Sequence, residues 1–173
     1  MKNYYVKSFV VVFAFIMLKC AAAFAQPPDT LWTQVYGGSG AETCFSVQQS
    51  ADGGYALGGY TSSFGAGMSD IYLVKTDSLG IMEWDQTFGG WHWEQCYSVQ
   101  QTNDGGYILG GYSWSFGGLD PDFYLVKTDS LGNQEWDQTF GGENQEVCYS
   151  VQQTADGGYI LGGKSSPPGP YNI

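Results

Sequence analysis

The sequence predicts an all-β chain made from one four-stranded antiparallel unit repeated every 52 residues. Trp32, Trp84 and Trp136 keep that spacing, and so do Cys44, Cys96 and Cys148. The segment YLVKTDSLG at 72–80 returns unchanged at 124–132, and 84–111 matches 136–163 at 23 of 28 positions. A fixed period of this length marks a repeat architecture, so residues common to every unit are scaffold first. After residue 25 no stretch carries a 3.6-residue apolar period, and glycines and turn signals interrupt every candidate helix.

The elements follow in order. Lys2 and Lys7 precede an apolar run, Ser8 to Leu18, that is short for a bilayer crossing, and Ala23-Phe24-Ala25 is a small-residue cleavage pattern. Residues 1–25 are therefore expected to be an export signal, with Gln26 opening the mature chain and no membrane span left in it. The repeats occupy 26–163: a leading strand at 31–38, repeat 1 at 39–90, repeat 2 at 91–142 and a partial repeat 3 at 143–163. In repeat 2, Cys96–Thr102 and Tyr107–Tyr112 flank Asn103-Asp104-Gly105-Gly106 and read as a hairpin. A longer loop, 113–121, leads to a third strand at Asp122–Thr128. The turn Asp129-Ser-Leu-Gly132 then enters a fourth strand, Gln134–Phe140. Residues 164–173, with three prolines, are expected to be an irregular tail.

The strands are apolar on both sides. Phe123-Tyr-Leu-Val and Tyr107-Ile-Leu have no polar alternation, whereas a sheet with one wet face would show it. Each sheet therefore needs cover on both faces. Stacking neighbouring units radially supplies it, which is a β-propeller-like array of four-stranded antiparallel blades. A β-solenoid repeats too, but with shorter coils and fewer hairpins. Only about two and a half blades are present, against the 4–8 of closed propellers. The expectation is a piece of a longer propeller, or a chain that self-associates through open blade edges.

The pattern W-x-x-x-[FY]-G-G, S-V-Q-Q-[ST]-x-D-G-G-Y-x-L-G-G and Y-L-V-K-T-D-S-L-G resembles the propeller-type repeats of large secreted bacterial surface proteins. It covers nearly all of 31–163. Many of those proteins end in a type IX secretion sorting domain, which this sequence lacks. The resemblance implies an extracellular propeller with no catalytic residues to carry over. The D-x-x-G-x-x-x-W pattern at 77–84 and 129–136 is similar to the tryptophan-docking repeats of quinoprotein propellers; those hold a scaffold, so no quinone or other cofactor is implied.

Charge and motif content exclude several functions. Three lysines remain after residue 25 against 17 acids and no arginine, a net charge of −14. Such a chain repels phosphate backbones, so nucleic acid is not expected as a partner. Nothing has zinc-type ligand spacing, nucleophile-elbow geometry or a phosphate loop. The chain is expected to be non-enzymatic and to hold no metal. Cys44, Cys96 and Cys148 sit once per unit, which suits buried thiols better than disulfides. Asp52, Asp104 and Asp156 in the D-G-G turns, and Asp77 and Asp129 in the D-S-L-G turns, are expected to bond their own backbone rather than calcium.

Binding is predicted from what varies. After each Gly-Gly the chain reads SGAET, WHWEQ and ENQEV. The loop at 61–64 likewise differs from 113–116, where Trp114 appears. In an up-and-down sheet both variable loops share one end and the repeated turns share the other. Loops on a rigid scaffold are where binding resides. The candidate residues are Trp91, His92, Trp93, Glu94 and Trp114. Their tryptophans either pack between neighbouring sheets or stand free to anchor a protein or a sugar ring. The expected function is a binding, adhesion or structural module, secreted or at the cell surface, with a lectin-like glycan binder as the alternative.

Overall fold

The computed structural model describes residues 10–15 and 30–166. The rest of the predicted leader and of the tail, Cys20 among them, lies outside the described residues. Strand accounts for 61% of the described residues, and no helix occurs among them, so none there is long and apolar enough to cross a membrane. The twelve strands are β1 (Val10–Phe15), β2 (Thr30–Tyr36), β3 (Glu42–Gln49), β4 (Tyr55–Thr61), β5 (Asp70–Thr76), β6 (Met82–Phe88), β7 (Glu94–Gln101), β8 (Tyr107–Ser113), β9 (Asp122–Thr128), β10 (Gln134–Phe140), β11 (Gln145–Gln153) and β12 (Tyr159–Ser166). They form two four-stranded antiparallel sheets, β3-β4-β5-β6 and β7-β8-β9-β10, and two pairs, β1-β2 and β11-β12.

Repeat 1 and repeat 2 are thus one sheet each, as the turn spacing predicts, and repeat 3 supplies its first two strands. One boundary differs from the sequence reading. β12 runs on through Lys164 to Ser166, because Lys164, Ser165 and Ser166 still find partners in Val147, Glu146 and Gln145. At the other end, the run Val10–Phe15 lies antiparallel to β2. Its apolar, β-branched composition suits a strand as well as it suits a leader.

The core lies between sheets, not within them. Alternate residues of one strand serve opposite neighbours. Ile71 and Leu73 of β5 face the second sheet, joining Cys96, Val99, Leu109, Tyr124 and Val126. Tyr72 and Val74, between them, pack with Tyr36 and Leu57 on the side of β2. Leu125 of β9 turns away from that first group to meet Ile108 and Val151 of β11. Strands apolar on both sides are therefore explained by neighbours on both sides.

The repeated residues are the joints of this stack. Trp32, Trp84 and Trp136 each meet, edge to face, the tyrosine that opens the second strand of the following unit, Tyr55, Tyr107 and Tyr159, at 5.8, 5.8 and 5.7 Å. Gly132 turns the chain at φ +82° directly beneath Trp84, where any side chain would lie 2.6 Å from the indole. Glutamines stitch unit to unit: Gln48 accepts from the Gln101 amide and Gln100 from the Gln153 amide. Ser46 and Ser98 accept from the amides of Val99 and Val151 at 3.1 and 3.2 Å. Cys44, Cys96 and Cys148 are free thiols. Burial pushes the Cys96 thiol up to about 12, so it is packing, not chemistry.

Candidate functional site

The two ends of the sheets differ as the sequence predicts. At one end the repeated turns bond themselves. Asp52 and Asp104 accept from the amides of Gly54 and Gly106, each at 2.9 Å. Asp77 accepts from Leu79 and Ile81, and Asp129 from Leu131 and Asn133. These local bonds explain the repeated aspartates without an ion. Among the described residues no three acid, histidine or cysteine side chains converge as metal ligands. Calcium is expected to leave the melting temperature unchanged; a calcium-dependent rise that disappears in Asp104→Ala would contradict this reading of the turns.

The same end holds a feature that sequence reasoning missed. Lys75 and Lys127 are buried to 3% exposure. Lys127 Nζ lies 2.9 Å from Asp104 and 2.8 Å from Glu135, and Lys75 lies 2.7 Å from both Asp52 and Glu83. Each lysine also donates to its neighbouring threonine carbonyl. Burial by itself lowers the lysine pKa, but the hydrogen bonds and charges of its two acids more than offset this and hold it above the ordinary value. The lysines therefore clamp the first hairpin turn to the fourth strand of the same sheet.

At the opposite end the variable loops come together. The Trp114 amide donates to the Trp93 carbonyl at 3.0 Å, and the His92 amide to Ser115 Oγ at 2.9 Å. Ser69 bridges to Trp93, so the loop after β4, the loop before β7 and the loop after β8 form one surface. Trp91 is 84% exposed, Trp93 43% and Trp114 36%, and His92 is exposed as well. The rings of Trp93 and Trp114 meet edge to face at 6.2 Å, with His92 against Trp93 at 5.9 Å. Trp93, Trp114 and His92 thus form a connected aromatic ledge, and Trp91 projects beside it. The alternative of tryptophans packed between sheets does not describe Trp91.

Glu94 stands apart from these four. It is fully buried. Its carboxylate accepts from Ser113 Oγ at 2.7 Å, the Gly90 amide at 2.7 Å and the Ser115 amide at 3.1 Å. Its counterparts behave alike: Glu42 accepts from Thr61 Oγ1 and Glu146 from Ser165 Oγ. These glutamates brace the end of the second strand and hold the loops in place, a positioning role that their repetition signalled. Beside two of them sit the buried carboxylates Asp70 and Asp122. Burial first, then a neighbouring glutamate, raises both aspartates above the ordinary value. Asp122 Oδ1 is buried with no hydrogen-bond partner.

No protein-family model matches the chain, and no curated protein matches it.

Proposed function

We propose that this is an exported, non-enzymatic β-propeller-type repeat protein whose variable loops bind a protein ligand at the cell surface. The reading is supported above all by Trp91. A large amphipathic side chain left 84% exposed, on the end of the stack where the units differ, costs solubility unless something covers it. Beside it the ledge of Trp93 and Trp114 adds the rigid aromatic anchors that interfaces favour. At the opposite end the turns are alike and internally bonded, and Trp136 there packs on Tyr159 of the following unit. The acidic surface is consistent with a soluble exported module and unsuited to nucleic acid.

A second reading, a lectin-like glycan binder, is favoured by the same Trp91, whose free indole face is the kind that stacks on a sugar ring. Retention of the chain on immobilised extracellular-matrix proteins and on a polysaccharide array separates the two. Trp91→Ala is expected to weaken retention by about 10-fold or more, the effect of losing an interface anchor, with the melting temperature unchanged. Retention that is unaffected by Trp91→Ala and Trp114→Ala would contradict the placement of the site.

A further inference from the structure

Two joints between units each hold a pair of acids face to face. Asp70 opens β5 in repeat 1 and Glu94 opens β7 in repeat 2; Asp122 at the start of β9 and Glu146 at the start of β11 repeat the arrangement one unit on. All four are buried, at 1%, 0%, 4% and 8% exposure. Their outward oxygens are occupied. Asp70 Oδ2 accepts from the amides of Ala66 and Gly67 at 3.1 and 3.3 Å, and Asp122 Oδ2 from Gly118 at 3.0 Å. Glu94 Oε1 and Glu146 Oε1 accept from the hydroxyls of Ser113 and Ser165, each at 2.7 Å. The inward oxygens meet across the joint. A side chain added at Gly89 would strike Asp70 Oδ1 and Glu94 Oε2 together, and one added at Gly141 would strike Asp122 Oδ1 and Glu146 Oε2. Asp122 Oδ1 is buried there with no donor.

The groups around these pairs are acids and phenols. Glu94 and Tyr124 act on Asp70, Glu146 and Asp120 on Asp122, and Tyr112 and Tyr124 lie near Glu94. Among the described residues every lysine within ion-pair distance of a carboxylate is Lys75 or Lys127, at the other end of the sheets. Lys164 follows Val147 in register and so alternates to the face opposite Ser165 and Glu146. His92 turns its ring to Trp93 on the ledge. Two carboxylates in contact and out of water cannot both stay ionised.

We propose that each of these joints is closed by one proton, shared between the aspartate of one unit and the glutamate of the next: Asp70 with Glu94, and Asp122 with Glu146. The proton supplies the donor that Asp122 Oδ1 otherwise lacks. Its loss leaves two like charges facing inside the stack. Burial first, then the facing glutamate, raises both aspartates above the ordinary value. An acid raised on folding stabilises fully below its unfolded value near 4 and loses that contribution as pH rises through the folded one. The joints therefore tighten in acid and loosen as the pH rises. The amides that Asp70 and Glu94 hold, those of Ala66, Gly67, Gly90 and Ser115, belong to the loops beneath the aromatic ledge. The ledge thus stands on a pH-sensitive joint, whatever it binds.

Asp70→Asn and Asp122→Asn keep the occupied oxygen and place an amide N–H where the proton would sit. Melts of each variant and the parent, run from about pH 4 to about pH 9, bracket the span between ordinary carboxyls and tyrosines. Each variant is expected to gain in melting temperature over the parent as the pH rises. His92 titrates in both chains, so its contribution cancels. Glu143→Gln, on an exposed loop residue, is the control and is expected to show no such growing gain. Amide exchange at Gly67, Gly90 and Ser115 is expected to be slower in Asp70→Asn than in the parent at about pH 9, the local sign of a joint that stays closed. Where one variant does not fold, the other joint decides. A gain that is constant with pH, or that Glu143→Gln reproduces, overturns the shared proton. Variants that melt below the parent throughout overturn it too; if a chelator then destabilises the parent, the occupant is a metal ion.

Discussion

Leu109→Ala is expected to destabilise the chain by about 2–5 kcal/mol, the range for truncating a fully buried leucine where neighbours cannot collapse into the space. Leu109 has no exposed surface and packs among residues of both four-stranded sheets, Leu73 and Cys96 among them. Those contacts come from several strands and hold rigid strand backbones apart, so the cavity stays open. Leu131→Ala, on the 65% exposed turn leucine, is the matched control and is expected to change stability by no more than about 0.5 kcal/mol. Urea melts of both variants measure the difference. Equal effects would mean that the interface between sheets is not where the stability lies.

The double variant Asp104→Asn, Glu135→Gln should cost about 3 kcal/mol, the low end for leaving a buried charge without its partner. The low end applies because both acids are about half exposed and water screens them. Lys127 itself stays buried, with no negative charge beside it and only neutral oxygens, the Thr128 carbonyl among them, to accept from it. Lys127→Met, which removes the charge and leaves the acids to solvent, should cost clearly less. The clamp also sets an acid limit. Hydrogen bonds from Lys75 and the Gly54 amide hold Asp52 down to about 2. A carboxyl depressed on folding stabilises above its unfolded value near 4 and loses that contribution as pH falls towards 2. Equilibrium melts from pH 5 to 2 should show the parent losing stability through this window. The Asp52→Asn variant, less stable at neutral pH, should lose less.

The fold was legible because its signals are local. The D-G-G and D-S-L-G turns bound each strand, and the apolar doublets in Tyr107–Leu109 and Phe123–Val126 announce sheets covered on both faces. The candidate site was legible in part. Variation after each Gly-Gly pointed to Trp91, His92 and Trp93, and the loop bonds do bring them beside Trp114. What the sequence hides is partnership across long separations. Gln48 and Gln101 lie 53 residues apart in sequence, and nothing in either residue names the other. Lys127 reads as a surface charge until β10 brings Glu135 to it. Glu94 shares a variable segment with the tryptophans but serves the scaffold, and only its recurrence as Glu42 and Glu146 distinguishes it. Val10–Phe15 satisfies two patterns at once, leader and strand, and composition does not choose between them.

The central claim is that one 52-residue unit is a complete sheet with no core of its own, stable only between neighbours. Excised residues 91–142, carrying all of β7-β8-β9-β10, test it directly by circular dichroism and sedimentation. The account predicts a disordered or aggregating peptide with no cooperative melt, because Leu109 and Val126 lose the first sheet and Ile108 and Leu125 lose β11. A monomeric β-rich peptide that melts cooperatively would contradict it.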